Sequence, residues 1–363
     1  MKKLVLFLLV VILGAVFLLP FALGQIKKQV KSDLYSNNSL TPVLRPTLVE
    51  NHTTADTASV FVPYWSTKSS MDLSDYEETY YFGVTPSDSG VDTTDEGYRS
   101  LSKFVGATKG TNTLLTLRML DVEQNSSILD DTDKQSKLIF QTISLAKKNG
   151  MKGVVLDLEQ SSFPFESLIT KISNFNKEFY LEAHKQNMKY YVTMYGDVFY
   201  RVRPYDVKAI AEHTDRMIIM AYDFHKARGN PGPNFPLGGR DTYDYDMTEL
   251  THDFLSIMPA DKVSVAFGYY GYDWEVDKDG KNIASGKAIS TKEIKASFID
   301  DCKYSKCEWN RDSLSAETKV TYIDENGKSH VLWFEDDQSV AQKKKYLQKY
   351  GISHFTTWAY GYN

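Results

Sequence analysis

The sequence predicts an α/β fold: a (β/α)8 barrel with a small α+β insertion between its seventh and eighth strands. Three observations carry this. Short apolar runs alternate with amphipathic stretches along most of the chain. The number of such runs is eight. The length that remains after one irregular segment is set aside suits a barrel.

The expected strands are 59–64, 80–84, 113–119, 153–158, 190–195, 217–222, 263–268 and 354–359. Between them lie helical stripes. Leu138, Ile139, Thr142, Leu145 and Ala146 recur at helical spacing, and Asn149-Gly150 ends that helix. Phe165, Leu168, Ile169, Ile172, Phe175 and Phe179 form a second stripe, and 340–350, stopped by Gly351, is a third. Segment 274–330 breaks the beat with the turn-rich 277–280 and 324–327. Without it, 58–363 holds 249 residues, close to the roughly 250 of this fold. Cys302 and Cys307 fall inside this insertion, where a local disulfide is plausible in an exported protein.

The ends are read from composition. Lys2 and Lys3 precede an uncharged apolar run ending at Gly24. Residues 1–24 are therefore expected to be a signal peptide or a membrane anchor, their length suiting either. Residues 25–57 are polar and contain Pro42 and Pro46, which reads as a linker. The folded part, 58–363, would then be secreted or held at the outer face of the cytoplasmic membrane, touching membrane only through its N-terminal segment. Asn37, Asn51 and Asn125 begin N-x-[ST] triplets, relevant only in a glycosylating host.

The chain has 363 residues and a net charge of −5. No basic surplus exists to neutralise phosphates, so nucleic acid is not expected as a partner. The histidines lack metal-ligand spacing, and no P-loop, G-x-S-x-G or dinucleotide fingerprint occurs, so no metal or cofactor is expected. Nothing calls for an oligomer, and a monomer is expected. With 24 Tyr, 19 Phe and 5 Trp, the chain is aromatic-rich, which suits either a large core or platforms for a ligand.

The segment 152–159 bears the chemistry. Side chains alternate across a strand, so Val155, Asp157 and Glu159 share one face while Val154, Leu156 and Leu158 face the helices. In a barrel the shared face points inward, and its C-terminal end holds the reactive groups. Burial and proximity should raise the pKa of one of the two acids, leaving a proton to give to a glycosidic oxygen. Two solvated or salt-bridged acids at a strand end would look the same from spacing alone.

That segment resembles the D-G-x-D-x-D-x-E signature of glycoside hydrolase family 18, which includes chitinases. Met220-Ala-Tyr222-Asp223 is similar to the family's M-x-Y-D at the end of strand six. Phe267-Gly268, followed by Tyr270 and Trp274, resembles the motif before the family's insertion domain. Residues 331–339, followed by Trp358, resemble the closing segment, most of all in the bacterial cell-wall and spore-lytic branch. The resemblance implies cleavage of β-1,4 bonds beside N-acetylglucosamine, in chitin-like glycan or peptidoglycan, by substrate-assisted retaining catalysis. Glu159 would be the acid and later the base. Asp157 would hold the acetamido N–H, and Tyr222 the acetamido oxygen. Asp223 would support that end of the sugar, and Trp358 would floor the ring. Tyr64 and Tyr270 lie among the aromatics at strand ends and would add platforms.

Each role has a plainer rival: Tyr222 as barrel filling, Trp358 as a core anchor, Asp223 as a helix N-cap. Two motif positions depart from the family, Lys152 and Val155 standing where it has Asp. Val155 cannot share a hydrogen bond with Asp157, so Asp157 must find another partner or turn toward Glu159. This leaves a second reading open, a weak or silent glycan-binding surface protein on the same barrel. The loop 230–239 and the acidic stretch 241–246 could border a groove, or simply be solvated loop.

Overall fold

The computed structural model describes residues 56–108 and 110–363. The apolar run 1–24, almost all of the expected linker, and Asn37 and Asn51 lie outside the described residues.

Among the described residues, fifteen strands are numbered in chain order. They are β1 Thr57–Pro63, β2 Glu78–Val84, β3 Pro86–Ser87, β4 Gly90–Val91, β5 Thr113–Met119, β6 Gly153–Leu158, β7 Lys189–Tyr195 and β8 Arg216–Ala221. They continue with β9 Val263–Gly268, β10 Tyr270–Val276, β11 Lys287–Ser290, β12 Ser305–Arg311, β13 Thr318–Ile323, β14 Ser329–Phe334 and β15 His354–Trp358. β1, β2, β5, β6, β7, β8, β9 and β15 close into a parallel barrel in that order. All eight expected strands are present, with ends moved by two residues or fewer. Parallel barrel strands are covered on both faces, which is why most read as continuous apolar runs. The outer face of β6, Val154, Leu156 and Leu158, packs into the large helix-facing core. Val155 joins Phe61, Tyr80, Phe82, Leu114, Tyr191, Ile218 and Ala266 inside the barrel.

The helix stripes are core faces. Helix Thr132–Lys148 starts at Asp131, whose side chain accepts from the Asp133 and Lys134 amides. It buries Leu138, Ile139, Thr142, Ile143 and Ala146, and it stops before Gly150, whose φ is +71°. Helix Glu166–Lys185 buries Ile172, Phe175, Phe179 and Ala183. Phe165 departs from the expected stripe: it is the N-cap, exposed, with its ring 5.0 Å from that of Phe163. Helix Asp337–Gln348 precedes the last strand.

The first residues of four strands plug the barrel floor. Glu78 is 4% exposed. It accepts from Lys189 (2.7 Å), Arg216 (2.8 Å), Tyr191 (3.0 Å) and Tyr80 (2.8 Å), and Arg216 also reaches His354 (3.3 Å). Burial pushes the Glu78 carboxyl up, but the Lys189 bond, the Arg216 charge and the Tyr80 bond outweigh it and the net shift is downward.

The insertion is a five-stranded antiparallel sheet in the order β11-β10-β14-β13-β12, with a short helix Thr291–Ile294. It spans Tyr270–Phe334, a little wider than 274–330, because only Tyr269 separates β9 from β10 and no turn marks the passage. Cys302 and Cys307 are disulfide-bonded within it. A buried ionic triad ties it to the barrel. Lys343 donates to Glu317 (2.7 Å) and Glu335 (2.5 Å), all three fully buried. Burial and then the Glu317 charge raise the Glu335 carboxyl, with Lys343 opposing.

Candidate active site

Asp157 and Glu159 stand at the C-terminal end of β6, and β7 supplies a hydroxyl to each. The β6–β7 register pairs Val155 with Tyr191. Continuing by twos sets Thr193 beside Asp157 and Tyr195 beside Glu159. The Thr193 hydroxyl donates to Asp157 Oδ1, and the Tyr195 hydroxyl donates to Glu159 Oε2 at 2.8 Å. Thr193 thus provides the partner that Val155 cannot. Asp157 is 2% exposed. Burial, then the neighbouring Glu159 charge, raises its pKa to about 7, while Thr193 and Arg118 oppose the rise.

The backbone around Glu159 is held from three sides. Its amide donates to the Met119 carbonyl at 2.9 Å, and its carbonyl accepts from Asn125 Nδ2 at 3.0 Å. The Tyr205 hydroxyl accepts from the Gln160 amide (2.6 Å) and donates to the Leu158 carbonyl (2.9 Å). Asn125 is fully buried. It is therefore an internal brace, and its N-x-S triplet has no outward-facing amide to modify. Tyr195 is steadied by Arg203, whose guanidinium carbon lies 3.7 Å from the ring centroid and which Asp197 holds at 2.7 Å.

Tyr222 follows β8 and is half-buried. Its hydroxyl makes no hydrogen bond among the described residues. Burial raises its pKa, followed by the charges of Asp157, Glu159 and Asp223, so these groups converge on one space. Tyr222 lies 6.3 Å from Trp358, the rings inclined by 29°, and Trp358 packs edge-on to Phe82 at 4.7 Å. Trp358 is half-buried and lines a cleft of about 580 Å³ with Tyr270, Tyr272, Ile289, Lys292 and Tyr362.

Asp223 caps no helix. It has a φ of +60° and its amide donates to Asn234 Oδ1 at 2.8 Å. Its carboxylate accepts from Tyr270 and, at 2.8 Å, from Tyr272. The Tyr270 hydroxyl is therefore committed to Asp223. Asn234, from the loop 230–239, is 2% exposed. It donates to the Gly268 and Tyr270 carbonyls (3.2 and 3.1 Å), and its amide donates to Glu317 (2.5 Å). Gly268 is required: a Cβ there would meet the Tyr270 ring at 2.5 Å and Tyr222 Cβ at 2.9 Å. Tyr64 packs on the Arg118 guanidinium, 5.1 Å from its ring centroid. In the acidic stretch, Asp246 caps helix Met247–Leu255 and Tyr243 donates to Asp312 (3.1 Å). Among the described residues no cluster of three or more His, Cys, Asp or Glu could hold a metal ion.

Residues 46–363 match Glycosyl hydrolases family 18. The chain belongs to this family. The putative sporulation-specific glycosylase YdhD of Bacillus subtilis (strain 168) is 28% identical over 181 residues, covering 48% of this chain and 40% of that protein. The cortical fragment-lytic enzyme of Bacillus subtilis (strain 168) is 24% identical over 194 residues, covering 48% of this chain and 41% of that protein. The chain thus spans less than half the length of these relatives. The spore cortex-lytic enzyme SleL of Bacillus cereus superposes with a TM-score of 0.69 at 18% identity, covering 87% of this chain and 73% of that one. A class V chitinase from Nicotiana tobaccum superposes with a TM-score of 0.71 at 15% identity, covering 84% and 94%. At these identities the superpositions establish the family 18 barrel fold.

Proposed function

We propose that this protein is an exported glycosidase that cleaves β-1,4 linkages beside N-acetylglucosamine, in chitin-like glycan or peptidoglycan. The carrying observation is the pair Asp157–Glu159, each with its own hydroxyl donor, whose charges act on Tyr222, a hydroxyl with no hydrogen bond among the described residues. Family membership and the spore-lytic and chitinase relatives support it. The basic, apolar N-terminal run supports export or anchoring at the outer face of the membrane.

The reaction runs through the substrate's own acetamido group, as in the known exceptions to two-carboxylate catalysis. Glu159 gives its proton to the glycosidic oxygen as the bond from that oxygen to the anomeric carbon breaks. The acetamido oxygen, placed by Tyr222, bonds to the anomeric carbon from the opposite side. Asp157 accepts the acetamido N–H, and its negative charge offsets the oxazolinium cation. Water then attacks the anomeric carbon, Glu159 takes its proton, and the oxazolinium ring opens with configuration retained. Trp358 covers the apolar face of the sugar.

The test is reducing-end release from N-acetylglucosamine oligomers and from purified peptidoglycan. Wild type should turn over one of them, and Glu159→Gln should bind without turnover. Equal behaviour of the two on every N-acetylated glycan would leave a silent glycan-binding protein instead.

A further inference from the structure

The charge of Arg118 opposes the rise of the Asp157 pKa, but the chemistry assigned to Asp157 and Glu159 leaves its hydrogen-bond donors unused. Arg118 on β5 pairs with Asp157 in the β5–β6 register, so both side chains lie on the inner face at the C-terminal end. It is 8% exposed. Its guanidinium lies against the rings of Tyr64 and Phe82, at 5.1 and 5.2 Å. Among the described residues its one ion-pair contact is with Asp95, at 3.6 Å, outside hydrogen-bonding distance. Its Nε is buried with no partner. A guanidinium has five N–H donors, and burying one without acceptors is costly unless a ligand supplies them.

Arg118 lines a cleft of about 500 Å³. The segments after β2 and β5 form its walls, with Thr85, Asp88, Leu120, Asp121 and Glu123. Leu120 is 43% exposed, an apolar surface at the mouth. Buried donor, carboxylate acceptors and one apolar face are what a sugar ring's oxygens, hydroxyls and C–H face require. The charge is informative. Asp88 is paired with Lys134 at 2.7 Å, whereas Asp121 and Glu123 form no ion pair among the described residues. A second carboxylate brought into this cleft would meet both of them.

We propose that this cleft is a subsite for a neutral hexosamine unit, with Arg118 donating to its oxygens and Asp121 and Glu123 rejecting a sugar that carries a carboxylate. The inference rests on the glycosidase reading and narrows its substrate. The cleft continues the site, because Phe82 touches both the Trp358 ring and the Arg118 guanidinium.

The experiment measures kcat and KM on N-acetylglucosamine oligomers of increasing length. It repeats them on peptidoglycan strands with free lactyl carboxylates and on the same strands amidated. Arg118→Met should raise KM on the longer oligomers by about tenfold, the scale of one lost charge-assisted hydrogen bond. Any change in kcat from losing the charge near Asp157 should be the same at every length, KM on the shortest cleaved oligomer should be unaffected, and Arg118→Lys should recover part of the loss in KM. Wild type should prefer the amidated strands, and Asp121→Asn with Glu123→Gln should erase that preference. A folded Arg118→Met with wild-type KM at every length overturns the proposal. So does a wild-type preference for free carboxylates that Arg118→Met removes. If Arg118→Met does not fold, the double variant decides: an undiminished preference for amidated strands keeps the two acids out of the discrimination and overturns it. If wild type hydrolyses nothing, the glycosidase reading fails instead, and the same comparisons are made on binding affinities.

Discussion

Thr193 donates its hydroxyl to Asp157 across the β6–β7 pair. This contact replaces the in-strand partner that Val155 removes, and it opposes the upward push of burial on the Asp157 carboxyl. Thr193→Val keeps the shape and deletes the donor. The Asp157 pKa should climb further, and the acid limb of kcat/KM should move to higher pH. The unpaired buried acceptor should cost about 1–3 kcal/mol of stability. A pH–rate profile beside a denaturant titration checks both.

Tyr195 does for Glu159 what Thr193 does for Asp157, and Arg203 covers its ring. Tyr195→Phe should lower kcat by about tenfold with KM nearly unchanged, the pattern of a group that orients the acid without binding substrate. A fall in kcat/KM carried by KM alone would place Tyr195 in substrate binding.

Asn125 pins the Glu159 carbonyl from a fully buried position. Asn125→Ala should cost about 1–3 kcal/mol in unfolding free energy. In the folded fraction it should lower kcat more than it raises KM, read by chemical denaturation and steady-state kinetics.

Asp157 makes stability depend on pH. Its folded pKa, about 7, exceeds the unfolded value. The folded chain therefore binds more protons than the unfolded chain between about pH 4 and pH 7, and stability falls as pH rises through that window. Asp157→Asn removes this slope. The variant should gain about 2 kcal/mol over wild type at pH 8, little of it remaining at pH 4, while losing activity. Melting curves across pH read the gain.

Alternation along 153–159 was enough to place Asp157 and Glu159 inward, and the eight apolar runs were enough to give the barrel. The same alternation runs through Tyr191, Thr193 and Tyr195, so the hydroxyl ladder was written in the sequence. Its meaning depends on which strand lies beside β6, which alternation alone does not specify. Asn125 and Asn234 were hidden differently. Each sits in a stretch that reads as surface, as a glycosylation triplet or a turn, and only burial turns its amide into a brace. Arg118 carries no periodic signal: one charge in an apolar strand becomes informative once its lack of acceptors is known.

The acid Glu317 serves two masters. It neutralises Lys343 and also receives the amides of Asn234 and Phe235. The insertion therefore cannot be traded between homologues as an independent cassette. A graft lacking the acid would leave Lys343 with Glu335 alone and release the loop that orients Asp223. Recombination of this barrel must carry 234–235, 317, 335 and 343 together, so the heritable unit is scattered along the chain rather than bounded by the insertion's ends.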